Sequence, residues 1–157
     1  MFATLRRSGG IESLVRRSGY PPATVSAVSE AMIPELLACL RAFVEREGRQ
    51  EAGVKNLLGV LEELGGGRLA AEVMGHEPIN PEPGEAILNR ICDGNSIERP
   101  APGAVAERTG LDLATIEKIL PLLTMLLCGY ISARSGGSGE EDGLHWALDV
   151  LVTDKKI

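Results

Sequence analysis

Hydrophobic residues recur every three or four positions along most of this chain, which is the spacing of one face of an α-helix. The pattern predicts a long helix from Thr24 to Gly48 and a second helix from Ala52 to Leu64. Gly65-Gly66-Gly67 ends the second helix, because glycine adopts the left-handed conformation of a helix C-cap without strain. A short helix is predicted from Leu69 to Met74. The apolar stripes of the two longer helices consist of Val25, Val28, Met32, Leu36, Leu40, Phe43 and Val44, and of Val54, Leu57, Leu58, Leu61 and Leu64.

A proline-rich connector, His76 to Gly84, follows these helices. Its prolines remove backbone donors and favour extended geometry in the residues before them, so no regular element is expected there. Helices are then predicted from Glu85 to Cys92 and from Gly103 to Thr109. Asp112 suits the N-cap of a longer helix, in which Pro121 is expected to cause a kink or begin a new helix. The apolar positions of this longer helix are Ile116, Ile119, Leu120, Leu123, Leu127 and Tyr130.

The C-terminal part changes in composition. Ser135 to Gly143 is rich in glycine, serine and acidic residues, which predicts a flexible linker. The segment after it, Leu144 to Ile157, fits two patterns, of which we favour the helix. Leu144, Ala147, Leu148 and Leu151 have helical spacing, whereas Leu144, Trp146, Leu148, Val150 and Val152 alternate as in a strand.

No long strand pattern occurs elsewhere, so the predicted fold class is all-α, a compact domain of about seven or eight helices. The predicted organisation is a helical domain at 1–134, with repeat units at 11–47 and 102–134 and a connector at 48–101, then a linker at 135–143 and a terminal amphipathic segment at 144–157.

The repeat units rest on a self-match. Residues 14–25 align without a gap on residues 105–116, and past a gap of about one helical turn Pro34 aligns with Pro121. In each copy the pattern predicts a short helix, then a corner at a glycine, and then a long apolar helix. The pattern favours a duplicated helical hairpin whose long helices pack together, although two corners can also share turn chemistry independently. The identical pairs are Arg17/Arg108, Gly19/Gly110, Ala23/Ala114 and Thr24/Thr115.

Composition adds a cellular expectation. Charged residues and glycines interrupt the first ten residues before an apolar stretch of about 7–15 residues can form, so no secretory signal is predicted. A cytoplasmic location is therefore expected. The longest uncharged stretch, Ile119 to Ala133, is 15 residues. That is short of the roughly 20 that a spanning helix needs, which favours a buried core helix. Cys39, Cys92 and Cys128 are far apart in the sequence, odd in number and without C-x-x-C spacing, which argues against a disulfide framework or a zinc site. They are expected to be small buried hydrophobes.

Charge weighs against one attractive interpretation. Residues 105–120, and their counterparts in the first half, have the cadence of a DNA-binding helix-turn-helix. However, the net charge is −6, and acidic residues are concentrated in the second half. Affinity for DNA depends on cations that neutralise phosphates, so nucleic-acid binding stays an alternative only. The one basic cluster consists of Arg6, Arg7, Arg16 and Arg17.

Candidate chemistry is sparse. His76 and His145 are the only histidines, and neither belongs to a nucleophile motif. Gly65-Gly66-Gly67-Arg68 lacks the preceding strand and spaced lysine of a phosphate loop. Glu62-Glu63 is most simply a solvated helix face. We therefore expect no enzymatic activity, no cofactor and no metal ion.

Trp146, the sole tryptophan, lies in an apolar segment beyond the predicted linker. A tethered amphipathic segment can dock on its own domain or enter a partner's groove. A protein partner or self-association is therefore predicted, while a small apolar ligand between the long helices is a further alternative. The predicted partner-binding residues are Leu144, Trp146, Leu148 and Leu151.

Four stretches, residues 54–74, 84–91, 105–112 and 118–123, resemble the YidB-like bacterial proteins of unknown function. The resemblance covers residues 30–131. It implies an all-helical fold and a cytoplasmic bacterial protein, and it supplies no catalytic or binding residue. The chain departs from the family pattern at Cys92-Asp93, where Phe-Gly is expected, and in the Trp146 segment, where a glycine-rich tail is usual.

Overall fold

The structure is a computed structural model that describes residues 2–47, 50–92 and 102–135. Eight α-helices form within these ranges and no strand does, which confirms the all-α fold class. The helices are α1 (Phe2–Arg7), α2 (Gly10–Ser18), α3 (Pro22–Glu47), α4 (Gln50–Glu63), α5 (Arg68–Met74), α6 (Glu82–Ile87), α7 (Pro102–Thr109) and α8 (Leu113–Ser135), with a π-helical turn at Leu88–Cys92 directly after α6.

The glycine-rich end of α4 forms as the sequence predicts. Gly66 N donates to Leu61 O at 2.7 Å, and Gly65 N donates to Glu62 O at 3.2 Å. This pair of bonds is the Schellman pattern, which satisfies carbonyls that the last helical turn leaves without partners. Both glycines have positive φ, 137° and 55°, which other residues rarely adopt.

The proline-rich connector is shorter than the sequence suggested, and the prediction that it holds no regular element is wrong at its end. α6 begins at Glu82 and includes Pro83 and Gly84. Proline is tolerated there because amides in the first helical turn have no intrahelical acceptor to lose. Glu85 N already donates to Pro81 O, at 3.2 Å.

Proline also fails to divide the long helices. α3 contains Pro34 and α8 contains Pro121, and each helix continues through its proline. Of the two alternatives expected at Pro121, a kink or a new helix, the new helix is therefore wrong. Thr124, one turn later, donates its hydroxyl to Leu120 O at 2.8 Å within the same helix.

α8 lies at the centre of the packing, in contact with α2, α3, α4, α5, α6 and α7. Glycines let several of these helices approach closely. A Cβ on Gly84 of α6 would overlap Pro121 O of α8, and a Cβ on Gly129 of α8 would overlap the backbone of Ala70 in α5. Among the buried residues of α8 are Ile116, Ile119, Leu123, Leu126, Leu127 and Ile131.

The corners α2–α3 and α7–α8 share one backbone pattern. Gly19 has a φ of 81° and Gly110 a φ of 79°. Gly19 N donates to Val15 O at 2.9 Å, and Gly110 N donates to Ala106 O at 2.8 Å. The two long helices that follow, α3 and α8, contact each other. The aligned residues thus adopt equivalent corners, while their origin by duplication stays a prediction.

Candidate functional site

The predicted partner-binding residues Leu144, Trp146, Leu148 and Leu151 lie outside the described residues. The choice between helix and strand in the terminal segment also falls outside them. The predicted linker at 135–143 lies outside the described residues except for Ser135, which is the last residue of α8 rather than part of a linker. The role of these four residues in binding therefore stays a prediction. The described residue nearest to them along the chain is Ser135, at the end of α8.

Two of the four arginines in the basic cluster, Arg16 and Arg17, are engaged within the fold. Arg16 Nη2 donates to the carbonyls of Met74, at 3.1 Å, and Gly75, at 2.7 Å. We call Arg16 and Arg17 together the arginine clamp, because both side chains reach from the end of α2 to the end of α5. The remaining bonds of the clamp run from Arg17 Nε to Val73 O at 3.0 Å, from Arg17 Nη2 to Glu72 O at 2.6 Å, and from Arg17 Nη1 to Glu77 O.

This geometry has a simple electrostatic cause. The last carbonyls of a helix lack intrahelical partners and carry the negative end of the helix dipole, so cations bind there favourably. The arginine clamp satisfies these carbonyls in α5 and joins it to α2. Its guanidinium groups are thereby committed to backbone acceptors, whereas Arg6 and Arg7 at the end of α1 are exposed. Sequence reasoning identified the cluster but missed the capping, because neighbouring arginines do not show which helix end they reach.

Residues 105–120, which have the sequence pattern of a helix-turn-helix, do not form an exposed recognition helix. A recognition helix has to place its side chains in the major groove of DNA. α8 is instead a core helix, and its exposed first turns present Glu117 and Lys118, of opposite charge. Arg108, in the preceding helix, forms an ion pair with Glu35 of α3, with 3.9 Å between Arg108 Nη2 and Glu35 Oε2.

Candidate catalytic and metal-binding groups do not converge in the part of the chain that is described. His76 is exposed in the loop after α5, and His145 lies outside the described ranges. Gly65-Gly66-Gly67 forms the Schellman turn. No group of three or more metal-binding side chains occurs among residues 2–47, 50–92 and 102–135.

The cysteines differ from the sequence expectation in one respect. Cys39 is buried, as predicted, but it is disulfide-bonded rather than a free thiol. Cys128 is a buried free thiol in α8. Burial raises the pKa of Cys128 from 9.0 to about 12, because the thiolate would lose its hydration in the core. Such a thiol is unreactive in the folded chain.

Two described helices meet the length and composition requirements of a membrane span. They cover Pro22–Glu45, with a mean hydropathy of 1.4, and Leu113–Arg134, with a mean hydropathy of 1.5. Core helices of soluble proteins meet the same requirements. Because 72% of the second span is buried, we interpret α8 as a core helix. The predicted lack of a membrane span stays a prediction.

Exposed apolar side chains do not form a patch in the described ranges. The large ones are Met74, 36% exposed, and Leu113, 41% exposed. Met74 lies beside Gly9 at the end of α5, whereas Leu113 begins α8. Single exposed hydrophobic residues are common on protein surfaces and define no docking site by themselves.

The comparisons with known proteins give one match. The family model described as "Bacterial protein of unknown function (DUF937)" matches residues 5–134. This is consistent with the YidB-like resemblance and extends the matched region towards the N-terminus. No curated protein and no solved structure matches the chain.

Proposed function

We propose that this chain, which belongs to the DUF937 family of bacterial proteins of unknown function, is a non-enzymatic all-helical module for protein interaction or self-assembly. Its docking element is the terminal segment 144–157. Leu144, Trp146, Leu148 and Leu151 supply the apolar contacts.

The observation that carries this proposal is the end of the family match at residue 134. α8 ends at Ser135, so the family domain and its last helix finish together. The apolar segment with Trp146 lies outside the matched region. Tryptophan is enriched among the residues that dominate binding energy at protein interfaces, which makes Trp146 the first candidate anchor.

The geometry of the described part supports a protein partner over a nucleic acid. The arginine clamp binds backbone carbonyls of α5, and α8 is committed to the core. Contacts to DNA phosphates would require these guanidinium groups to leave their backbone acceptors. A location in the cytoplasm is part of the proposal, but the disulfide at Cys39 weighs against it because disulfides are rare in that compartment.

The proposal is tested by comparing the tagged full-length chain with Trp146→Ala. Leu113→Ala is the matched control, because Leu113 is an exposed apolar residue outside the segment. Light scattering and quantitative affinity capture from bacterial cells are measured for all three proteins. We expect the wild type and the control to form a discrete oligomer or retain a stoichiometric protein partner, and Trp146→Ala to lose it. A wild-type chain that is monomeric and retains no partner contradicts the proposal.

A further inference from the structure

The disulfide at Cys39 joins α3 to a distant part of the sequence. The chain has three cysteines, of which Cys39 is disulfide-bonded and Cys128 is a free thiol. Cys92 is therefore the one remaining cysteine of the same chain that can pair with Cys39. It is the last residue of the π-helical turn Leu88–Cys92.

The packing of the π-helical turn agrees with this pairing. The turn and α3 contact each other. Leu88 and Ile91 of the turn are buried, and Cys39 is 0% exposed. A disulfide needs Cα atoms no more than about 7 Å apart, so only elements that pack together can share one. The turn and α3 meet that requirement as elements.

The π-helical form of this turn is unusual in itself. π-helices are rare, and they occur mostly as single turns that are frequent at functional sites. One π turn shifts the register by one residue, which rotates position 92 by about 100° relative to an α-helical continuation of α6. The form of the turn therefore decides the angle at which position 92 meets α3.

The turn has one other polar tether that joins it to a neighbouring helix through exposed side chains. Arg90 Nη1 lies 3.0 Å from Glu63 Oε1 of α4, and these side chains are 50% and 65% exposed. Ion pairs with such exposure contribute little to stability. By contrast, α6 before the turn is held firmly, because a Cβ on Gly84 would overlap Pro121 O of α8. A covalent bond to α3 is thus the stronger tether of the turn itself.

We infer that Cys39 and Cys92 form a reversible redox switch, which fixes the π-helical turn on α3 when the pair is oxidised and releases the turn when it is reduced. The switch is independent of the docking role proposed for segment 144–157. It also reconciles the disulfide with a cytoplasmic location, because the disulfides that do occur there are usually transient and redox-sensing.

The reductant is a dithiol, such as a thioredoxin-class protein. Because Cys39 is buried, a thiolate of the reductant attacks the Cys92 sulfur during local opening of the turn. The S–S bond breaks, and Cys39 leaves with the electron pair and takes up a proton. The second thiol of the reductant then attacks the mixed disulfide, which releases Cys92 as a thiol. Two electrons and two protons pass to the protein, and the dithiol becomes a disulfide.

Peptide mapping without a reductant tests the pairing. Trypsin places each cysteine on its own peptide, 18–41, 91–108 and 119–134. The full-length chain is isolated with iodoacetamide present, so that free thiols are blocked before they can exchange. We expect the peptides 18–41 and 91–108 to be linked in the monomeric chain and 119–134 to be alkylated only after unfolding. A link between two copies of 18–41, or a link to 119–134, overturns the pairing.

Hydrogen exchange tests the switch. Exchange is measured by mass spectrometry in the folded full-length chain with and without dithiothreitol, for the wild type, Cys92→Ser and the control Cys128→Ala. We expect peptides that report on Leu88–Ile91 to exchange at least about tenfold faster in the reduced wild type, with α8 unchanged. Cys92→Ser should exchange at the fast rate under both conditions. Cys128→Ala should respond to dithiothreitol as the wild type does, because its substitution lies outside the pair.

Three results overturn the switch. The first is equal exchange of the turn in the oxidised and reduced wild type. The second is faster exchange throughout the described helices after reduction, since this identifies a purely structural disulfide. The third is a bond that dithiothreitol reduces only after the chain has been unfolded. Each result comes from the wild type alone, so the test stands even if Cys92→Ser fails to fold.

Discussion

At the scale of single residues, the arginine clamp is the polar contact near the N-terminus whose loss should lower the free energy of unfolding most. Arg17 donates to three carbonyls around the end of α5 and is partly buried. Hydrogen bonds of charged groups contribute more than neutral ones because the charge strengthens each bond. Arg17 is therefore a structural residue in this fold, because its charge binds backbone carbonyls of the same chain.

We predict that Arg17→Gln lowers the free energy of unfolding by about 1–2 kcal/mol, since the partly buried bond to Val73 O and the exposed bonds to Glu72 O and Glu77 O lose a charged donor. Arg7→Gln, at an exposed position of α1, should change it by less than about 0.5 kcal/mol. Urea unfolding followed by circular dichroism measures both. An effect of Arg17→Gln no larger than that of Arg7→Gln would show that the clamp does not stabilise the fold.

Cys128 supplies a prediction about pH. Burial raises the pKa of Cys128 to about 12 in the folded chain, whereas the ordinary value of 9.0 applies when the thiol is exposed in the unfolded chain. Between these values the unfolded chain loses the proton and the folded chain keeps it, so stability falls as pH rises above 9.0. The loss should approach about 1.4 kcal/mol per pH unit in that window, and Cys128→Ala should lack this component. Identical pH dependence of the two proteins in urea unfolding would contradict the buried thiol.

The thiol groups themselves can be distinguished by alkylation. Iodoacetamide should leave Cys128 unmodified in the folded chain, and it should modify Cys128 after unfolding without a reductant. Cys39 should become reactive only after reduction, because it is disulfide-bonded. Peptide mass spectrometry gives the modified sites. Alkylation of Cys39 in the unfolded, unreduced protein would show that the disulfide is absent.

At the scale of helices, two glycines with similar sequence surroundings have opposite roles. Gly129 meets the backbone of Ala70 where α8 crosses α5, whereas Gly59 faces open space in the described structure. Gly129→Ala should therefore destabilise the chain by about 1–3 kcal/mol through overpacking. Gly59→Ala should stabilise α4 by about 0.5–1 kcal/mol through helix propensity. Thermal unfolding of both variants measures the contrast, and destabilisation of equal size at both sites would contradict these contacts.

Helices and their ends were the part of the fold most accessible from sequence. The apolar spacing in α3, α4 and α8 is long and regular, and glycine specifies the end of α4 through its backbone freedom. The start of α6 was missed because Pro83 was interpreted as a helix breaker, although the first helical turn tolerates proline. Close approaches such as Gly84 to Pro121 depend on tertiary packing, which periodicity along one element does not encode.

At the scale of the whole molecule, the described helices form a packed domain around α8, and the family match covers that domain. The candidate docking residues lie beyond it. Sequence reasoning could propose them from composition and from the sole tryptophan, but a surface that would receive them depends on tertiary packing, which local sequence does not encode. The hydrogen bond from Ser132 Oγ to Glu62 Oε2, at 3.4 Å, is one contact of this kind between α4 and α8, and no local sequence pattern reveals it.

The claim that the terminal segment is a docking element is tested most directly by photocrosslinking in living bacteria. A photoreactive benzoylphenylalanine replaces Trp146 in the full-length chain, with the same substitution at Leu113 as the control. After irradiation, crosslinked peptides are identified by mass spectrometry. Our account predicts crosslinks from position 146 to one defined protein surface, on a partner or on a second copy of the chain, and sparse crosslinks from position 113. Diffuse crosslinking from position 146, no stronger than from position 113, would contradict the account.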